Sequence, residues 1–76
     1  MTTIIGIKLE NRVSDALKLQ KILTGYGCEI QTRIGLHPVD DYECNNYGII
    51  LLEVKSKVNE IYDALAKYWQ IQMMKF

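Results

Sequence analysis

The stretch Tyr47-Gly48-Ile49-Ile50-Leu51-Leu52-Glu53-Val54 places large aliphatic side chains at four consecutive positions. A strand alternates its side chains between two faces, so this run is apolar on both. A central strand covered from both sides is the simplest cause of such a pattern. Upstream lies a polar segment, residues 37–46, with turn chemistry in Asp40-Asp41 and Asn45-Asn46. Before it, Cys28 to Leu36 alternates, with Cys28, Ile30, Thr32, Ile34 and Leu36 against Glu29, Gln31, Arg33 and Gly35. Pro38 ends this strand because proline cannot donate to a ladder.

Further out, the period changes. Val13, Ala16, Leu17, Leu19, Ile22, Leu23 and Tyr26 recur at three- and four-residue steps, which predicts an amphipathic helix capped by Asn11 or Ser14. Gly25 and Gly27 are expected to end it in the left-handed conformation. Thr3, Ile5, Ile7 and Leu9 alternate with Ile4, Gly6, Lys8 and Glu10, a strand that precedes the helix. Downstream, Ser56 is the expected cap of a second helix carrying Val58, Ile61, Tyr62, Leu65, Tyr68 and Trp69 on one face. Gln70 to Phe76 reads as a final strand.

The order is β-α-β-β-α-β. Two strand-helix-strand units with right-handed crossovers interleave into a four-stranded antiparallel sheet with both helices on one face. The expected class is therefore α+β, a ferredoxin-like sandwich of strand order 4-1-3-2, formed by residues 1–76 as one domain. Its second face has no cover from its own chain. Ile4, Gly6, Lys8, Gln31, Arg33 and Gly35 are expected there, with alternate residues of the 49–54 strand. Each Ile or Leu buried on such a face contributes on the order of 1.5–3 kcal/mol.

Composition narrows the function classes. Nine basic and nine acidic residues cancel, so no basic excess is available to neutralise phosphates, and direct nucleic-acid binding is not expected. Near-zero charge also leaves little repulsion between copies. A chain of 76 residues buries only roughly 60% of its unfolded surface, so association would help it. Cys28 and Cys44 are too few for a disulfide-rich secreted scaffold, although a single bridge between them stays open on sequence grounds. No signal-peptide pattern and no ~20-residue apolar run occurs, so a cytoplasmic protein without membrane attachment is expected.

Several short motifs carry a resemblance. Ile5-Gly6-Ile7, the Glu10-Asn11-Arg12 entry to a helix, Arg33-Ile34-Gly35, and Gly48 to Leu52 leading to Lys55-Ser56 resemble the ACT-like regulatory domains. More narrowly, they resemble the small stand-alone iron-only hydrogenase system regulators. The resemblance implies a non-enzymatic, cytoplasmic, oligomeric domain in an anaerobe's regulatory system. Amino-acid-binding ACT domains use a glycine-bearing loop after the first strand. Glu10-Asn11-Arg12 has no glycine, so the usual amino-acid site is not expected here.

Two candidate sites stand out. His37, Asp40, Asp41, Glu43 and Cys44 crowd one loop with nitrogen, oxygen and sulfur donors, and the related nickel-sensing domains bind metal through His and Cys. No strict ligand spacing accompanies them, and a solvated polar loop collects the same residues. Arg33 and Gly35, with Gly6 and Lys8, could line a pocket between subunits, where glycine admits close approach and arginine forks onto a carboxylate. The plainer alternative is that Gly6 and Gly35 ease the packing of two sheets with Arg33 at the rim. Cys28 is expected as a small buried hydrophobe. No nucleophile elbow or phosphate-cradling loop is present, and neither catalysis nor a cofactor is expected. The expectation is a regulatory domain that forms a homodimer or tetramer through the open sheet face or sheet edges and binds a small molecule or protein partner. The alternative is a transition-metal sensor using His37 and Cys44.

Overall fold

The computed structural model describes residues 1–36 and 47–76. Its elements are β1 (Thr3–Leu9), α1 (Arg12–Thr24), β2 (Ile30–Leu36), β3 (Gly48–Val54), α2 (Val58–Ala66) and β4 (Gln70–Lys75). The strands form one antiparallel sheet in the order β2-β3-β1-β4, which is 4-1-3-2 read from the other edge. This is the ferredoxin-like fold. β3 and β1 hold the centre, as the two-sided apolar run of β3 requires.

The core forms between the sheet and the helices. Ile5, Ile7 and Leu52 from the sheet meet Leu19 of α1 and Ile61 and Leu65 of α2, each at most 1% exposed. Registry explains why these residues meet: Ile5 lies opposite Leu52 on one side and Met73 on the other, so one face of three strands is apolar.

Local sequence sets the helix ends, with some departures from expectation. Asn11 Oδ1 accepts from Ser14 N at 3.2 Å, while Asn11 N donates to Asp15 Oδ2 at 3.3 Å. This reciprocal cap satisfies donors that the first turn leaves open. Gly25 ends α1 in the right-handed region at φ −65°, and no described glycine has positive φ. Lys57, not Ser56, occupies the N-cap of α2; it is left-handed at φ 55° and makes no side-chain cap bond.

The buried stripe of α1 also differs from the expected one. Leu19 and Leu23 are buried with Ile22 and Tyr26 packed beside them, but Val13 is 70% and Leu17 81% exposed. Thirteen residues at 3.6 per turn present two apolar stripes, and only the one centred on Leu19 and Leu23 meets the sheet. α2 ends at Ala66, so Tyr68 and Trp69 belong to the turn into β4. Trp69 is buried there. Tyr68 is exposed and lies under Lys18 of α1, whose Nζ is 3.5 Å from the ring centroid.

The largest departure is in β2. Ile30 pairs with Val54 and Thr32 pairs with Glu53, which leaves Gln31 as an extra residue in a bulge. Beyond it every side chain changes face. Arg33 lies opposite Leu52 and Gly35 opposite Ile50, both on the helix side, while Thr32, Ile34 and Leu36 turn to the open face. Arg33 Nη1 accordingly donates to Gln20 Oε1 on α1. Arg33 and Gly35 are therefore not on the open face, because a one-residue insertion reverses the two-residue period.

Candidate functional site

The helix-free face of the sheet carries three rows of side chains, read across the strands in register. Leu36, Ile49, Lys8 and Gln70 form the first row. Ile34, Leu51, Gly6 and Gln72 form the second. Thr32, Glu53, Ile4 and Met74 form the third. Beyond the third row, Phe76 pairs with Thr2 through two backbone bonds of 2.8 and 3.2 Å, which extends the face by one aromatic ring.

This surface is largely apolar and, among the described residues, uncovered. Ile34 is 49% exposed, Met74 53% and Phe76 75%, while Ile4, Ile49 and Leu51 are half-buried. At its centre the missing side chain of Gly6 leaves a notch. A Cβ there would stand 3.4 Å from Leu51 Cδ2, in ordinary contact. The notch opens into a shallow cavity of about 230 Å³, lined by Gly6, Lys8, Ile49, Leu51, Gln70, Gln72 and Met74, with Ile7 at its base. Small-molecule pockets run to about 300–1,000 Å³ and enclose most of the ligand. This cavity needs a second surface over it to match that.

Two ionised side chains, Lys8 and Glu53, join the neutral polar Gln70, Gln72 and Thr32 on this face. Lys8 Nζ lies 3.9 Å from Glu10 Oε1 and 5.3 Å from the Tyr47 ring centroid. Glu10 is largely exposed, so this long pair holds Lys8 only weakly. Glu53 accepts a 2.8 Å hydrogen bond from Thr32 Oγ1, which fixes its carboxylate on the face.

Of the expected interface residues, the structure brings Gly6 and Lys8 together and puts Arg33 and Gly35 on the opposite side. Ile34, Leu36, Met74 and Phe76 join the site instead. β4's alternation of glutamines with Ile71 and Met73 pointed to its outward set, but nothing in the residues around Gln31 announces a bulge. Cys28 is exposed, since the turn of residues 25–29 precedes β2 rather than belonging to it. The metal-ligand expectation on His37 and Cys44 lies outside the described residues. Among the described residues, no three His, Cys, Asp or Glu side chains cluster as a metal site, and no helix is long and apolar enough to cross a membrane.

A ferredoxin-like sandwich whose second sheet face is largely apolar and bare among the described residues is the class of structure these observations define. No protein-family model and no curated protein matches the chain. Among solved structures it is similar to the uncharacterized protein TM1266 from Thermotoga maritima, at 23% identity and a TM-score of 0.71. The match covers 96% of this chain and 92% of the other. At that identity the likeness establishes a common fold.

Proposed function

We propose that this chain is a non-enzymatic regulatory module that works as a homodimer, with the open faces of two sheets packed together. The observation that carries this reading is the aliphatic patch of Ile34, Leu36, Ile49 and Leu51, the first two exposed, on a face that no helix among the described residues covers. Exposed apolar patches of this kind mark association surfaces. The face measures roughly 20 by 23 Å from strand spacing and rise. That footprint, roughly 460 Å² before side-chain relief is counted, falls below the about 600–1,000 Å² per partner of standard interfaces and in the range of weaker, reversible ones.

Face pairing is favoured over pairing along the β2 edge. The bulge at Gln31 interrupts that edge, and an interrupted edge is a poor template for another strand. A second copy would also roof the Gly6 cavity, turning a shallow depression into an enclosed site for a small ligand. The sequence resemblance extends this reading to a regulator of an iron-only hydrogenase system, with the ligand or a docked protein as its input.

Sedimentation equilibrium on the full chain tests the dimer. The wild type is expected as a dimer at micromolar concentration, and Leu51→Glu as a folded monomer with unchanged circular dichroism. A monomeric wild type overturns the proposal.

A further inference from the structure

Resting on that dimer, we infer that the two copies pack with their strands antiparallel, so that Lys8 of each copy pairs with Glu53 of the other. Lys8 and Glu53 are the two ionised side chains in the three rows of the open face. They occupy opposite corners of its centre. Lys8 is in the first row on β1, and Glu53 is in the third row on the neighbouring β3, where it faces Ile4. Four residues of strand, about 13 Å, and one strand spacing, about 4.8 Å, separate them.

Two symmetric ways of stacking the faces treat these charges differently. With the two-fold axis along the strands, Lys8 of one copy lands on the first-row Ile49 of the other, and Glu53 lands on Ile4. Four charges then lose water against aliphatic side chains and gain no partner, a costly arrangement. With the axis across the strands and perpendicular to the Lys8–Glu53 diagonal, each ammonium meets a carboxylate. Both pairs form at once, since the symmetry repeats every contact. The diagonal leans about 20° from the strands, so superposing the two turns one sheet about 40° against the other. That lies close to the roughly 30° at which aligned sheets pack.

Both side chains are ready for this role. Lys8 is 42% exposed, and among the described residues its contacts are the long one to Glu10 and the 5.3 Å approach to the Tyr47 ring, both weak enough for it to turn toward a second copy. Thr32 holds the Glu53 carboxylate on the face. The same arrangement brings the two Gly6 notches near the axis, where they merge into one chamber between the copies.

Charge reversal tests the geometry. Lys8→Glu alone and Glu53→Lys alone each place two like-charge contacts in the homodimer, and each is expected to weaken it at least tenfold. An equimolar mixture restores opposite charges at both contacts. It is expected to yield heterodimers well above the statistical share by native mass spectrometry, with an affinity near the wild type's. A dimeric wild type whose variants show no preference for each other in the mixture overturns the antiparallel pairing and leaves the dimer standing. A monomeric wild type overturns both. Should either reversal fail to fold, Lys8→Gln, Glu53→Gln and their combination give the same answer. A combined loss of affinity equal to the sum of the single losses excludes the contact, and a smaller one supports it.

Discussion

Ile30 and Thr32 stand two residues apart in one strand yet on opposite faces of the sheet, Ile30 opposite Val54 and Thr32 opposite Glu53. In an unbroken strand they would share a face. The single extra residue, Gln31, exchanges the roles of everything up to Leu36. It delivers Ile34 and Leu36 to the open face and sends Arg33 back to α1.

That exchange is testable at Arg33. Arg33→Ala removes its bond to Gln20 but touches nothing on the open face. Self-association should change by less than about twofold, while stability falls by roughly 0.5–1.5 kcal/mol, the worth of an ordinary hydrogen bond. Sedimentation and urea unfolding on the same sample separate the two. A large drop in dimer affinity would return Arg33 to the interface.

Adjacent residues of β3 should behave in opposite ways. Leu52 is fully buried on the helix side, so Leu52→Ala is expected to cost about 2–5 kcal/mol of folding stability. Leu51→Ala, one residue earlier and half-buried on the open face, should cost about 1 kcal/mol or less in the monomer. Its main effect should be on dimer dissociation. Denaturant titration of dilute protein measures the first quantity and a dilution series the second.

Lys57 offers a stabilising substitution. Its left-handed backbone at φ 55° costs a side-chain-bearing residue roughly 1–2 kcal/mol. Glycine relieves this but loses about 0.5–1 kcal/mol through the freer unfolded chain. The 3.8 Å contact from Lys57 to Glu29 is long and its lysine is 59% exposed, so losing it offsets only part of that gain although Glu29 is 17% exposed. Lys57→Gly is therefore expected to raise stability by about 0.5–1 kcal/mol, or a few degrees in Tm for a domain of this size. A fall in Tm would show that the contact to Glu29 outweighs the strain.

Cys28 is exposed in the turn before β2. Under native conditions its thiol should react with a chromogenic disulfide reagent in a fast phase whose amplitude Cys28→Ser lowers by one thiol equivalent. A phase seen only in denaturant would place the sulfur in the core, as its position among alternating residues had suggested.

Some of this protein could be read from its residues one after another. The change from a two-residue to a three- and four-residue period, and the aliphatic run Ile49-Ile50-Leu51-Leu52, specify the element order, the central place of β3 and the uncovered face. These follow because burial must match the periodicity of each element. Gly6 and Lys8 were assigned to the open face on the same ground, and they line its cavity together.

Other features depend on contacts between distant segments. α1 has apolar side chains at Val13 and Leu17 as well as at Leu19 and Leu23, and packing against the sheet chose the second pair. The left-handed turn fell to Lys57 because the chain must reverse from β3 into α2 there, although glycines stood elsewhere. The bulge at Gln31 has no local signature. It lets Ile30 stay with Val54 in the core while Thr32 reaches Glu53 on the far side, a compromise in pairing between β2 and β3. Alternation along one strand counts residues, whereas the face a side chain occupies depends on which partner residue the ladder sets beside it.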